Sequence, residues 1–118
     1  MSRTQIIPAN PGWKFVWFND YWFKQEGEIS VETHTVIAFE VTVEGRPPST
    51  VEPLIADWNV CCKRDSGYAA LIDPSTGRLS SSGSGEWDTV EEFTAAMVER
   101  AKHEMAAALE HEIAAALR

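Results

Sequence analysis

The chain contains little cysteine, and its two cysteines stand side by side. Of its 118 residues, only Cys61 and Cys62 carry thiols. Neighbouring Cα atoms lie about 3.8 Å apart, closer than an ordinary disulfide requires, and neighbours on a strand point to opposite faces. We therefore expect two reduced thiols, as in a protein of a reducing compartment. A metal or redox role for the pair is the alternative.

Long apolar runs are also absent. No stretch of about 18 apolar residues occurs, so we expect no membrane-spanning helix. The first ten residues hold one arginine and a short apolar run, Ile6 and Ile7, which is not the pattern of a signal peptide. We therefore expect a cytoplasmic protein. A chain of this length is expected to form a single domain, residues 1–118.

Basic side chains are few. The chain has 10 Lys and Arg against 18 Asp and Glu, for a net charge of −8. Such a surface repels phosphate, so we expect no direct binding to nucleic acid. The acidic excess is largest over residues 88–118, with seven acidic and three basic side chains. Solubility explains this charge, and an acidic inhibitor that mimics nucleic acid is the alternative.

Alternating apolar residues predict strands over residues 13–80. Proline at positions 8 and 11 excludes helix at the start of the chain, so residues 1–12 are expected to form an extended arm. A turn at residues 73–77, with Asp, Pro and Gly in order, predicts a hairpin. We expect about five or six antiparallel strands. Their predicted positions are residues 13–18, 21–24, 29–43, 49–52, 68–72 and 78–80.

A long helix is predicted at the C-terminus. Residues 81–87 are rich in serine and glycine and predict a flexible loop. Asp88 is expected to cap the following helix, with Glu91 completing a capping box. No glycine or proline follows Asp88, so the helix is expected to span residues 88–118. The predicted fold class is therefore α+β, an antiparallel β-sheet meander packed by one long C-terminal α-helix.

The predicted helix is longer than the domain it belongs to. About thirty residues give a helix of about 45 Å, whereas a compact domain of this size is about 35 Å across. Apolar residues recur along its final turns and need cover. We expect a homodimer that pairs these ends; a free, alanine-rich helix or a helix that bends back are the alternatives. The expected dimer interface comprises Met105, Leu109, Ile113 and Leu117.

Aromatic side chains concentrate in one short segment. Seven of the twelve aromatic residues lie at positions 13–23. Exposed aromatic rings commonly anchor protein partners. If they lie outside the core, Trp17, Tyr21 and Trp22 are the candidate binding residues, and the alternative is that most of these rings form core.

Catalytic and metal-binding patterns are not recognisable. The chain has no nucleophile elbow, Walker motif or Ser-His-Asp arrangement. Glu99 precedes His103 by four residues, which favours an ion pair on the helix surface over a metal site. We expect no cofactor and no metal. A small hydrolase-like enzyme using Asp57, Asp73 or His34 is an alternative.

Several short segments resemble small uncharacterised proteins encoded by tailed phages and prophages. The first is the Ile-Ile-Pro-Ala-Asn-Pro-Gly segment at residues 6–12. Others lie at residues 36–41, 70–74 with 77–78, and 87–93, whereas the long C-terminal helix departs from the pattern. The resemblance implies an accessory protein of phage or prophage origin and carries over no functional residue. We therefore expect a non-catalytic protein that acts by binding a host or phage protein and by homodimerisation.

Overall fold

Antiparallel strands and one long helix make up the observed architecture, which confirms the α+β prediction. The computed structural model describes residues 2–44, 50–56, 63, 67–81 and 85–118. Within this part of the chain it contains seven strands and two helices. These are β1 Ser2–Pro8, β2 Lys14–Phe18, α1 Asp20–Glu26, β3 Val31–Glu44, β4 Thr50–Ile55, β5 Ala69–Ile72, β6 Leu79–Ser81, β7 Gly85–Trp87 and α2 Val90–Ala116.

The long strand β3 joins two parts of the sheet. Residues 38–44 of β3 pair with β1, and residues 36–42 pair with β4. We call this three-stranded part, formed by β1, β3 and β4, the outer sheet. Residues 31–35 of β3 pair with β2, which is followed by β5, β6 and β7 in the inner sheet. The register of β3 against β4 shifts between Val36 and Ala38, at the junction of the two parts. A bulge of this kind bends a strand and increases its twist.

The main core lies between the inner sheet and α2. Alternate residues of β2 and β5 point toward the helix, as the two-residue period of a strand requires. They pack against the first half of α2, and full burial of each large apolar side chain contributes on the order of 1.5–3 kcal/mol. The buried members are Val16, Phe18, Tyr68, Ala70, Leu79, Phe93, Met97 and Ala101. A smaller cluster of Phe15, Val36 and Ile55 lies on the opposite face.

A short helix replaces the strand predicted at residues 21–24, so that prediction is wrong. Asn19 caps α1 by accepting a hydrogen bond from the Trp22 amide at 3.0 Å. Gly27 ends the helix with a left-handed φ of 74°, which glycine adopts without steric cost. Phe23 packs against Phe18 with ring centroids 5.8 Å apart. The two caps and this contact outweigh the preference of aromatic residues for strands.

The cap of α2 lies one residue later than predicted, and the helix begins at Val90. Thr89, not Asp88, is the cap, and its hydroxyl accepts the Glu92 amide at 3.1 Å. The Glu92 carboxylate in turn accepts the Asp88 amide at 3.0 Å. The predicted capping box with Glu91 is therefore wrong in register, because a Thr-x-x-Glu pattern competes with the Asp-x-x-Glu pattern beside it.

Two predicted irregular segments take part in the sheet. The predicted arm forms β1, which pairs with β3 from Ser2 to Pro8. The predicted loop contributes its ends to β6 and β7, while residues 82–84 lie outside the described part. The predicted turn at residues 73–77 is present, with the Gly77 amide donating to the Asp73 carbonyl at 2.7 Å.

Candidate interaction surfaces

Helix α2 has a buried half and an exposed half. Its 27 residues span about 40 Å at 1.5 Å per residue. Phe93, Met97 and Ala101 are buried against the inner sheet, whereas every residue from 105 to 118 is exposed. We call residues 105–118 the tail. The molecule measures 52 × 35 × 25 Å, which is elongated for a chain of this length.

A polar cluster holds α2 immediately before the tail begins. The Glu104 carboxylate accepts hydrogen bonds from the Tyr68 hydroxyl at 2.9 Å and from Lys24 Nζ at 3.0 Å. Arg100 Nε lies 3.5 Å from the same carboxylate and its guanidinium lies 4.7 Å from the Tyr68 ring centroid. Another Arg100 nitrogen donates to the Gly67 carbonyl at 2.6 Å. The cluster thus connects α1, α2 and the segment that leads into β5.

The pKa shifts in this cluster follow from its charges. Burial raises the pKa of the Glu104 carboxyl, but hydrogen bonds from Lys24 and Tyr68 and the charges of Lys24 and Arg100 outweigh it. The net result is a Glu104 pKa below its usual range. Burial, together with the hydrogen bond to Glu104, raises the pKa of the Tyr68 phenol well above its usual value. Both shifts favour a charged Glu104 that accepts from a neutral Tyr68.

The four predicted interface residues of the tail are all exposed. Met105, Leu109, Ile113 and Leu117 expose 41%, 57%, 51% and 83% of their surface. Each step of four residues turns about 40° around the axis, so the four side chains cover an arc of about 120°. The tail therefore presents an apolar face that winds around the helix axis. Its pairing with a second chain stays a prediction.

The predicted aromatic site is divided between two places. Tyr21 and Trp22 lie on α1 and expose 70% and 42% of their surface, and we call this pair the α1 patch. The Trp22 indole donates to the Glu28 carboxylate at 3.1 Å. Trp17 is half-buried on the face of the inner sheet opposite α2, with Lys63 Nζ 5.3 Å from its ring centroid. The fold therefore separates Trp17 from the α1 patch.

A shallow apolar groove lies beside the first half of α2 and was not predicted. It is formed by exposed Ile29, which follows α1, and one face of α2. Val98 on this face lies seven residues before Met105. Seven residues make two helical turns less about 20°, so Val98 and Met105 point in nearly the same direction. The groove and the apolar residues of the tail therefore share one side of α2. The clue in the sequence was Ile29, an isolated apolar residue in a polar segment. The lining residues are Ile29, Val90, Glu91, Thr94, Ala95, Val98 and Glu99.

The outer sheet presents a second apolar face. The register places Ile7 and Pro53 on either side of Phe39, and Gln5 and Val51 on either side of Val41. These residues share the side of the sheet that faces away from α2, since Phe39 packs with Phe15, Val36 and Ile55. Ile7 and Val51 are 46% and 59% exposed. Among the described side chains on this face, Arg3 alone carries a charge.

Of the residues suggested for catalysis, the two that the structure describes lie on different elements, His34 on β3 and Asp73 in the turn after β5. His34 Nε2 lies 3.2 Å from Glu32 and 3.3 Å from the buried Lys63 Nζ, which itself lies 2.9 Å from Glu32. The hydrogen bond from Lys63 lowers the pKa of Glu32 despite partial burial, and His34 adds to the effect. Asp73 accepts from the amide and hydroxyl of Ser75 within its own turn, which lowers the pKa of Asp73.

Other predicted residues are exposed or fall outside the described part. Glu99 lies 3.7 Å from Lys102, an ion pair that the expected pairing of Glu99 with His103 overlooked. Among the described residues, no group of three His, Cys, Asp or Glu side chains is placed to hold a metal ion. Asp57, Cys61 and Cys62 lie outside the described residues.

Comparison with known proteins does not assign the chain to a family. No protein-family model, curated protein or solved structure matches the chain. Within the part of the chain that the structure describes, no helix combines the length and the apolar character needed to cross a bilayer.

Proposed function

We propose that this chain is a non-catalytic accessory protein of phage or prophage origin that binds other proteins and forms a homodimer through its C-terminal helix. The observation that supports this proposal is the tail, which carries four large exposed apolar side chains beyond the last anchored turn of α2. Burial of such side chains in an interface contributes favourably at about 25 cal/mol per Å². The phage origin rests on the resemblance of the short sequence segments.

The tail is suited to binding because it is already helical. An isolated helix of this length is marginal in water, but the tail continues a helix that Glu104 and the buried Phe93, Met97 and Ala101 hold in place. Alanine, which has the highest helix propensity, occupies six of its positions. A partner therefore meets an ordered surface, which lowers the entropy lost on binding.

The α1 patch is the proposed site for a different protein. Tyr21 and Trp22 lie on a helix capped at both ends, and the hydrogen bond to Glu28 restrains the Trp22 ring. Rigid exposed aromatic residues of this kind supply much of the binding energy at protein interfaces. A host or phage protein is the proposed partner at this patch.

Light scattering tests the homodimer. The wild-type chain at high micromolar concentration is expected to give twice the 13.1 kDa monomer mass. Leu109→Glu places a charge in the apolar face of the tail and is expected to give the monomer mass. Ala107→Glu adds the same charge about 160° around the helix, and it is expected to leave the dimer intact. A wild-type mass of 13.1 kDa at that concentration would exclude self-association.

Comparative capture tests the α1 patch. A protein recovered by the wild-type chain from host lysate is expected to be lost with Tyr21→Ala and Trp22→Ala and retained with Leu109→Glu. Circular dichroism confirms that each variant keeps its helix content. Equal recovery by the wild-type and the α1 variants would remove the patch from the proposal, and turnover of a small molecule would contradict the non-catalytic role.

A further inference from the structure

Two apolar surfaces of this chain, the tail and the face of the outer sheet, lie apart from one another. We infer that in the homodimer the tail of each copy packs across the outer-sheet face of the other copy. This inference rests on the proposed homodimer and adds the acceptor surface to it. It differs from a pairing of the two tails with each other.

The winding of the apolar row on the tail favours a broad acceptor. Met105 and Leu117 differ in direction by about 120° around the axis, so a straight helix parallel to the tail would leave one end of the row in water. A helix that crosses the tail at about 50°, the angle that rows of this spacing favour, would cover the row only near the crossing point. A three-stranded sheet is broad enough to lie beneath the whole length of the row.

The dimensions of the two surfaces agree. The tail is about 20 Å long and, with its side chains, about 10 Å wide. The seven residues of β1 extend about 23 Å, and the outer strands of a three-stranded sheet lie about 10 Å apart. One tail therefore covers one outer-sheet face, with its apolar residues over Ile7, Val41 and Val51.

The area of contact also favours this arrangement. At on the order of 180 Å² per free apolar residue, the exposed fractions of the four tail residues give about 400 Å² of surface to bury. Two tails packed on each other would bury at most about 800 Å² in total, which is the size of a crystal contact. Two reciprocal contacts of tail and sheet would bury about 800 Å² on the tails. They would add on the order of 500 Å² on the sheets, where Ile7 and Val51 are exposed and Phe39 and Val41 are half-buried. The total of about 1,300 Å² lies within the range of stable interfaces.

Charge and chain path are consistent with a second copy as the occupant. Among the side chains described on the sheet face, Arg3 alone is charged, and its charge is positive. On the tail, Glu110 and Glu112 lie on the two sides of the apolar arc. Opposite charges at the edge of an interface favour one docking orientation. Because α2 is continuous from Val90 to Ala116 and its tail is exposed, the tail of a chain does not cover the sheet of that same chain. Exchange between two copies closes the assembly with two-fold symmetry.

Site-specific photo-crosslinking identifies the acceptor. A benzophenone amino acid replaces Leu109, and equal amounts of isotopically light and heavy chains are mixed so that intermolecular products are recognisable. Mass spectrometry is expected to place the crosslinks in residues 2–8 and 50–56 of the other chain. The same probe at Ala107, on the opposite side of the helix, is expected to give at least tenfold less product. Crosslinks confined to residues 105–118 would overturn the inference and leave the homodimer intact.

A matched pair of substitutions on β1 gives a second measurement. Ile7 and Ile6 are both exposed and point to opposite faces of the outer sheet. Ile7→Glu is expected to raise the dissociation constant of the dimer at least tenfold, whereas Ile6→Glu is expected to change it less than twofold. Equal effects of the two variants would contradict the inference. A wild-type chain that stays monomeric would remove the inference and the proposed dimer together.

Discussion

The two halves of α2 have the same apolar spacing but opposite surroundings. Phe93, Met97 and Ala101 repeat every four residues and are buried, while Met105, Leu109 and the later members of the series are exposed. The sheet lies beneath the first half and not beneath the second. A four-residue repeat alone therefore does not tell whether a helix face belongs to the core or to an interface.

The largest expected effect on stability comes from a substitution in the buried half of α2. Phe93→Ala removes a fully buried ring and is expected to lower the free energy of unfolding by about 3–5 kcal/mol. Leu109→Ala is expected to change it by less than about 0.5 kcal/mol at concentrations where the chain is monomeric. Urea denaturation at low micromolar concentration measures both. Similar losses for the two variants would contradict the division of the helix into two halves.

A smaller effect is expected at the boundary between the halves. Glu104→Gln removes the charge that Lys24, Tyr68 and Arg100 surround, and is expected to cost about 1 kcal/mol of unfolding free energy because the site is partly exposed. Glu99→Gln is the matched control, since its ion pair with Lys102 is fully on the surface and is expected to contribute less than about 0.5 kcal/mol. Denaturation curves compare them, and an equal cost would show that the cluster does not anchor α2.

The smallest expected effect is the pH dependence of this boundary. The folded pKa of Glu104 is lowered, so its contribution to stability is fully present above the unfolded pKa and is lost as pH falls through the folded value. The stability difference between wild type and Glu104→Gln is therefore expected to be constant from pH 6 to 7 and to shrink below about pH 4.5. A difference that grows on acidification would contradict the assigned direction of the shift.

Helices and strands with long, regular sequence patterns were predicted correctly. Elements that depend on single residues or on pairing between distant segments were not. Strand β3 and the extent of α2 were predictable because many residues repeat the signal, although the bulge between Val36 and Ala38 was not. Helix α1 was missed because its rings favour strands, while the deciding caps, Asn19 and Gly27, are single residues. The register of β1 on β3 depends on a pairing between distant segments, which no local pattern encodes.

The candidate surfaces divide in the same way. The exposure of Leu109 and its neighbours in the tail was predictable from helix length against domain size. The separation of Trp17 from Tyr21 and Trp22 was not, because it depends on which face of β2 the helix covers. The outer-sheet face could not be predicted from the sequence, because its residues come from β1, β3 and β4, which only the folded chain brings together.

Hydrogen exchange at two protein concentrations tests the central claim most directly, namely that a second copy covers the tail. At low micromolar concentration the amides of residues 107–116 are expected to exchange faster than those of the buried half, because the exposed end of the helix opens more readily. At high micromolar concentration they are expected to exchange at least tenfold more slowly than at low concentration. The amides of the buried half of α2, around Met97, serve as the internal reference and are expected to change little. Exchange in the tail that is independent of concentration would contradict the account.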